Sequence, residues 1–175
     1  MKKGVIKYQG RFIQVTEEVM NNAIWERSYI PNGVIVFPVN KEGKILLVEE
    51  KRPHETPTIR LKPLAGMLED HESPEANAQR EMQEEIGFKA EKMINYFSFS
   101  TSGTVNSKQY YFLAKNLIPS KLPNPDGEDS IISIQAFSLD EILELLHTEK
   151  MKWSTSTLGL WRLKQLIDKK EISLN

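Results

Sequence analysis

A short acidic segment constrains this chain most strongly, because its residues specify both a helix and a cluster of like charges. Ser73 suits a helix N-cap, Pro74 suits the first helical position, and Gly87 suits the left-handed residue that follows a helix. These signals predict a helix from about residue 74 to about residue 86.

Three glutamates lie near the C-terminal end of this predicted helix. Glu81, Glu84 and Glu85 are spaced i, i+3 and i+4, so they share one helix face. Their mutual repulsion and the helix dipole both disfavour this arrangement in water, by about 0.3 kcal/mol for each contact. A hard divalent cation would turn this cost into a gain, because Mg²⁺ prefers carboxylate oxygens. A solvated acidic face is the alternative for an isolated pair of glutamates.

The residues around these glutamates follow a longer pattern, Gly-x5-Glu-x7-Arg-Glu-φ-x-Glu-Glu-x-Gly-φ, in which φ is apolar. The matching positions are Gly66, Glu72, Arg80, Glu81, Met82, Glu84, Glu85, Gly87 and Phe88. The segment therefore resembles the signature of the Nudix hydrolases at every specified position. The resemblance implies an α/β fold, a mixed β-sheet sandwich flanked by helices. It also implies metal-dependent hydrolysis of a nucleoside diphosphate linked to another group, X.

The resemblance assigns a metal site within this segment. It implies that Glu81 and Glu85 are direct metal ligands and that Glu84 lies beside them as a further ligand and catalytic residue. The backbone carbonyl of Ala65 is expected to add another oxygen. Mg²⁺ is the expected ion, and Mn²⁺ can substitute for it. Metal ions neutralise the charge of a pyrophosphate and lower the pKa of a bound water, so the reaction needs no covalent nucleophile.

Four other positions of the signature are expected to have structural roles. The resemblance implies a loop before the helix, and Glu72 and Arg80 are expected to pair and hold this loop against the helix. Gly66 is expected to allow a close backbone approach near the metal, and Gly87 to end the helix in the left-handed region.

Much of the remaining chain looks like the branch of ADP-ribose pyrophosphatases and nucleoside-diphosphate-sugar hydrolases, although those motifs are looser. They lie at residues 8–12, 26–33, 46–52, 137–142 and 154–160. This resemblance implies ADP-ribose or a nucleotide sugar as substrate. It also implies a homodimer, with an N-terminal antiparallel strand extension over residues 1–32 for dimerisation and substrate contacts. The Nudix domain would then occupy residues 33–175.

Three side chains outside the signature are candidates for substrate binding. Arg52 is the first candidate for a phosphate contact, and a surface arginine beside a strand end is the alternative. Trp25 could stack on a base, although a buried strand tryptophan is the role we favour. Arg27 could meet the second phosphate or the sugar, and a purely structural arginine is the alternative.

Two departures from the branch concern the substrate and the general base. Lys62 stands where the branch usually has a glutamate, and residues 101–107 contain neither proline nor an acidic residue. The branch places a catalytic glutamate on a mobile loop, and alignment puts Ser130 near that position. Glu128 is the candidate base, with Asp129 as the alternative, because a flexible loop can supply a carboxylate through one water. A solvated turn is the non-functional interpretation.

The rest of the pattern predicts a mixed α/β domain. The clearest hairpin joins residues 33–39 to residues 44–48 through a polar turn. Further strands are predicted as short pieces in 4–30 and at 93–99, 109–114 and 131–137, and helices at 139–146 and from 154 or 155 to about 169.

Composition limits the classes of partner. The chain has 175 residues, a formal net charge of −1 and no cysteine. No global positive field would grip nucleic acid or an anionic membrane, so we expect neither as a partner. The expected location is cytoplasmic. A catalytically silent nucleotide sensor is the alternative function, and removal of mRNA caps or of oxidised nucleoside triphosphates is less favoured, since no basic RNA-binding stripe is present.

Overall fold

The computed structural model describes residues 4–123, 130–151 and 154–175. The described elements are β1 (Val5–Gln9), β2 (Gln14–Met20), β3 (Ala23–Tyr29), β4 (Gly33–Pro38), β5 (Ile45–Lys51), β6 (Ile59–Lys62), β7 (Leu64–Met67), α1 (Pro74–Glu85), β8 (Phe88–Thr101), β9 (Val105–Pro119), β10 (Ile131–Phe137), α2 (Leu139–His147) and α3 (Ser154–Asp168).

The strands form two sheets. The larger has seven strands in the order β1-β2-β3-β9-β4-β7, with β8 paired to β9, and the smaller has the order β10-β5-β6. The larger sheet is mixed, because β9 runs parallel to both β3 and β4 whereas the other pairings are antiparallel. Strands β1, β2 and β3 form an antiparallel extension at one edge of it.

Strand β4 explains where the core lies, because all six of its residues are buried. Val34 and Val36 pack in a cluster with Ala78 and Met82 of α1. The alternate residues, such as Phe37, face a second cluster that includes residues of α2 and α3. A strand with both faces covered needs apolar side chains at consecutive positions, and this is what the uninterrupted apolar sequence of β4 provides.

Helix α1 begins and ends where its local sequence predicts. The Ser73 side chain accepts a hydrogen bond from the Ala76 backbone N–H at 3.1 Å, with proline following in the first turn. Gly87 has φ +75°, the left-handed conformation that glycine tolerates best. No basic residue lies in the last turn of the helix, but Lys121 donates to the Glu84 carbonyl at 2.6 Å.

The prediction that residues 33–39 and 44–48 pair as a hairpin is wrong, because the two strands belong to different sheets. The turn is present, with the Asn40 N–H bonded to the Lys44 carbonyl at 2.9 Å and a single bridge between Val39 and Ile45. Beyond that bridge β4 joins the larger sheet and β5 joins the smaller one. The strands diverge because β4 pairs on both sides with other strands, β7 and β9.

Two short strands, β6 and β7, were absent from the sequence-based prediction. They are consecutive in the chain, with Pro63 between them, yet they belong to different sheets. This crossing brings the smaller sheet beside α1 and the start of the acidic signature. Among the described residues, no helix is long and apolar enough to cross a membrane.

Candidate metal centre

The acidic helix face lies against the backbone of β7. A Cβ atom added at Gly66 would collide with the Glu81 carboxyl group, so the close approach depends on this residue being glycine. Gly66 and Ala65 pair with β4, which fixes the backbone in register. The Glu81 carboxylate therefore lies against Gly66, the residue that follows Ala65.

Arg80 is the first of two cations that hold these carboxylates. Its Nη1 donates to Glu84 Oε2 at 2.8 Å, and its Nε and Nη2 lie 3.3 and 3.2 Å from Glu72 Oε2. Nη2 also lies 3.3 Å from Glu81 Oε1 and 3.4 Å from Glu69 Oε1. The guanidinium therefore ties the loop to the helix, and the structure places Glu72 and Arg80 together as the signature implies.

Asn77 strengthens the same connection and was not singled out from the sequence. Its buried side-chain amide donates to the Met67 carbonyl and to Glu72 Oε2, both at 3.0 Å. The loop is thus bonded to the first turns of α1 and to the end of β7.

Lys62 is the second cation, and it comes from outside the signature. It is only 1% exposed, and its Nζ lies 3.4 Å from Glu50 Oε1 and 3.5 Å from Glu85 Oε1. Glu50 is also buried, and its Oε2 lies 3.0 Å from Arg52 Nε and 3.3 Å from Arg60 Nε. A buried network therefore joins the end of α1 to the smaller sheet.

The electrostatic state of the carboxylates follows from burial and from these neighbours. Burial first, and then repulsion by Glu85, raises the pKa of Glu81 to about 7. Burial also raises the pKa of Glu85, although Lys62 opposes the shift. Burial would raise the pKa of Glu50 as well, but Arg52, Lys62 and Arg60 together outweigh it and hold that pKa below its usual range.

One carboxylate oxygen in this centre lacks a protein partner. Glu85 Oε2 is buried and accepts no hydrogen bond from the described residues. An orphaned buried oxygen is costly unless something binds it. In the described ranges no three His, Asp or Glu side chains converge on a ready-made metal position. Arg80 and Lys62 hold oxygens of Glu81 and Glu85 instead.

The remaining donors nevertheless fit a hard divalent cation. They are the Glu81 carboxylate and the unpartnered oxygen of Glu85, to which the signature would add the Ala65 carbonyl and Glu84. All are oxygen ligands, and Mg²⁺ characteristically binds through one or two carboxylates while it keeps several waters. The burial that raises the pKa values of Glu81 and Glu85 would be offset by such an ion.

The structure places the predicted substrate residues in two regions. Arg52 follows β5 directly, with its Nε on Glu50 and its side chain 36% exposed, so it lies beside the metal centre. Arg27 lies on β3 and bonds Glu18 of β2 at 2.8 Å. Trp25, also on β3, is 51% exposed, so the favoured role of a buried tryptophan is wrong for the single chain. It is exposed because Trp25 lies in the sheet extension, opposite Glu18 of β2 and away from both core clusters.

The predicted general base falls in a part of the chain without structural description. Glu128 and Asp129 lie outside the described residues. Ser130 is described, and its carbonyl accepts a hydrogen bond from the Lys51 N–H at 2.7 Å. This bond places Ser130 next to the residue that precedes Arg52.

Glu50 is a residue of the centre that sequence reasoning missed. Val48 packs against the α1 side of the core, and a strand returns to the same face two residues later. The alternation of side chains along β5 could therefore have predicted that Glu50 points toward α1. Lys62 was noted only as a departure from a related pattern, and its burial was not foreseen.

Comparison with known proteins agrees with this geometry. A family model described as the NUDIX domain matches residues 30–157. The chain belongs to the Nudix family. A crystal structure described as that of an ADP compounds hydrolase has the same fold, with a TM-score of 0.78, 20% identity and 97% coverage of both chains. The sequence-based prediction of the Nudix fold is therefore confirmed.

Three relatives of similar sequence differ in how far the similarity extends. The methanol dehydrogenase activator of Bacillus methanolicus is 31% identical over 162 residues, covering 87% of this chain and 85% of that protein. The ADP-ribose pyrophosphatase of Bacillus subtilis is 32% identical over 123 residues, covering 69% and 65%. The GDP-mannose pyrophosphatase of Yersinia pestis is 28% identical over 132 residues, again covering 69% and 65%.

Proposed function

We propose that this Nudix protein is a metal-dependent hydrolase that cleaves the pyrophosphate bond of ADP-ribose or of a nucleotide sugar. The products would be a nucleoside monophosphate and a phosphorylated X. The observation that carries the proposal is the unpartnered buried oxygen of Glu85, whose carboxylate is close enough to raise the pKa of Glu81. The predicted hydrolase class agrees with the family and with the names of the two pyrophosphatases among its relatives.

The residues of the centre have different proposed roles in the reaction. A divalent ion, when bound, would neutralise charge on the pyrophosphate and lower the pKa of a bound water. Glu81, Glu85 and the Ala65 carbonyl would hold that ion, with Mg²⁺ or Mn²⁺ as the candidates. Arg80 fixes the loop and the Glu84 carboxylate, whereas Lys62 fixes Glu85. Each carboxylate is thus oriented before the substrate arrives, so little reorganisation is needed.

Arg52 is the candidate side chain for binding a phosphate group. It is anchored on Glu50 but partly exposed at the end of β5. A planar guanidinium matches the geometry of phosphate oxygens better than an ammonium group does. The general base stays a prediction, with Glu128 or Asp129 as the candidates.

The N-terminal strands support the proposal of a homodimer. Exposed apolar side chains of this region are Val5, Ile6, Tyr8, Phe12, Ile13, Val19, Met20, Ile24 and Trp25. Val19 and Ile24 lie directly opposite each other on β2 and β3, and exposed apolar patches are typical of interaction sites. A second subunit covering residues 1–32 would bury them and could bring Trp25 and Arg27 to a bound nucleoside. The division at residue 32 and a cytoplasmic location also stay predictions.

The decisive experiment is a turnover assay with ADP-ribose, GDP-mannose, UDP-glucose, diadenosine polyphosphates and nucleoside triphosphates, each with Mg²⁺, Mn²⁺ or EDTA. We expect release of AMP from ADP-ribose, or of the corresponding nucleoside monophosphate from a nucleotide sugar, and loss of activity with EDTA. Folded protein that binds nucleotide but cleaves none of the compounds would contradict the proposal and favour the sensor.

The homodimer is tested by light scattering after size-exclusion chromatography. We expect Ile24→Asp, on β3, to convert a dimer into a monomer, because a buried unpaired charge is costly at an interface. Ile132→Asp is the matched control, since Ile132 is also exposed but lies on β10. A wild-type protein that is monomeric at micromolar concentration would contradict the dimer.

A further inference from the structure

Lys62 occupies the point at which the two sheets meet the acidic helix. It is the last residue of β6 in the smaller sheet, and β7 of the larger sheet starts two residues later. Its ammonium group lies between Glu50 of β5 and Glu85 of α1, at 3.4 and 3.5 Å. A lysine that is 1% exposed is stable in the charged form only when it is paired in this way.

Glu50 holds this ammonium group in place. The Oε2 atom of Glu50 faces Arg52 and Arg60, whereas its Oε1 atom faces Lys62. Glu50 is therefore surrounded by three cations and has little capacity left for a metal ion. Its two arginines orient the carboxylate, and the carboxylate in turn orients Lys62 toward α1.

The two oxygens of Glu85 consequently differ. Oε1 lies beside the Lys62 ammonium, whereas Oε2 has no hydrogen-bond partner among the described residues. Glu85 could therefore offer Oε2 to a divalent ion while Oε1 stays paired with Lys62. A further ion between Glu85 Oε1 and Glu50 would have to displace the ammonium group, and repulsion between cations is strong in a buried site.

We propose that Lys62 is a built-in cation of this metal centre, which fills the place between Glu50 and Glu85 that a second divalent ion would otherwise take. The protein without substrate would then bind a single divalent ion through Glu81 and the free oxygen of Glu85. This inference rests on the proposed function and deepens it, because it assigns how the positive charge at the centre is divided between protein and metal. Lys62 acts here as a positioning residue, through Glu85.

The test counts bound Mn²⁺ by electron paramagnetic resonance during titration of the full chain without substrate. We expect about one tightly bound ion per wild-type chain and about two for Lys62→Glu, which exchanges the cation for a ligand. Lys41→Glu is the matched control, because Lys41 is exposed in the turn before β5 and undergoes the same change of charge. Its count should equal that of the wild type.

Lys62→Met provides a second measurement in case Lys62→Glu does not fold. It keeps an unbranched side chain of similar length but leaves Glu50 and Glu85 without the ammonium group. We expect Mn²⁺ to raise its melting temperature by more than it raises that of the wild type, since an added ion replaces the missing charge. Two tightly bound ions in the wild type, or folded Lys62 variants that bind Mn²⁺ as the wild type does, would overturn the inference.

The proposed function fails in a different way. Hydrolysis that persists in EDTA would contradict the metal-dependent activity. So would the absence of hydrolysis by a chain that binds about one Mn²⁺. Neither result changes the number of Mn²⁺ ions bound per chain, on which the inference about Lys62 depends. A wild-type chain that binds no Mn²⁺ would overturn both.

Discussion

Arg80 and Lys62 neutralise neighbouring carboxylates of one helix, but they come from different parts of the chain. Arg80 contacts Glu69, Glu72, Glu81 and Glu84, all within the acidic signature. Lys62 joins Glu85 to Glu50, which lies on a strand of the smaller sheet. The Arg80 side chain is 22% exposed, whereas that of Lys62 is 2% exposed.

The Arg80 ion pairs are local in sequence, whereas the Lys62 ion pairs depend on tertiary packing. The Arg80 group is assembled by one loop and one helix, so it forms whenever that segment folds. The Lys62 group requires the smaller sheet, which carries Lys62 and Glu50, to be packed beside α1. We therefore expect changes near Arg80 to act mainly on stability, and changes near Lys62 and Glu85 to act mainly on metal binding and turnover.

The largest expected effect is that of Glu85→Gln. The substitution removes a proposed metal ligand, and a metal ion contributes several kcal/mol to the transition state, so kcat/KM should fall on the order of 10³-fold. Thermal unfolding should show that the fold is kept. Glu75→Gln is the control, because Glu75 is an exposed glutamate in the first turn of the same helix. Unchanged turnover in Glu85→Gln would refute the assignment of Glu85 as a ligand.

Next in size is the effect of Arg80→Gln on stability. Loss of a half-buried guanidinium from four carboxylates should lower the free energy of unfolding by about 3 kcal/mol. The melting temperature should then fall by about 6 to 12 °C in a protein of this size. Lys164→Gln removes an exposed i,i+4 pair with Asp168, for which we expect less than about 0.5 kcal/mol. Equal losses in the two variants would contradict a special role for Arg80.

A smaller effect is expected from pH in the absence of metal. The pKa of Glu81 is raised to about 7, so the folded state keeps a proton that the unfolded chain has released. Stability should therefore fall as pH rises from about 5 to about 7, by roughly 2 kcal/mol. Melting temperatures measured in EDTA should show this slope, and Glu81→Gln should flatten it. Mg²⁺ should reverse the slope, because the metal binds the deprotonated carboxylate.

The smallest predicted effect is that of Gly66→Ala. Its new methyl group would push the Glu81 carboxylate away from β7, so Mn²⁺ affinity should fall about tenfold. Ala65→Gly is the paired variant, because it keeps the backbone carbonyl proposed as a ligand and removes only the side chain. Calorimetric titration with Mn²⁺ compares the two. An affinity loss confined to Ala65→Gly would contradict the proposed close approach at Gly66.

The local part of the site could be predicted from the sequence. A cap, a proline and a glycine gave the bounds of α1 to within a residue, because such signals act over one turn. The spacing of Glu81 and Glu85 gave a shared face for the same reason. Short-range geometry is encoded in adjacent residues, so it needs no knowledge of the rest of the fold.

The tertiary part could not be predicted in the same way. The turn after β4 predicted a hairpin, yet a turn does not determine whether its two strands stay in one sheet. The meeting of Lys62 with Glu50 and Glu85 depends on that divergence, since β5 and β6 carry two of the three residues. The sequence favours Trp25 as a buried strand tryptophan, but burial depends on what covers the strand.

The position of Pro63 between two strands of different sheets has a consequence for cooperativity. A partial opening that lifts the three-stranded sheet from α1 would carry away Lys62 and Glu50, while the seven-stranded sheet kept its ladders. Such sub-global openings require less free energy than complete unfolding. The proposed ion ligands Glu81, Glu85 and Ala65 lie on α1 and β7, so a bound metal ion would stay with the larger sheet while Glu85 Oε1 lost its ammonium partner.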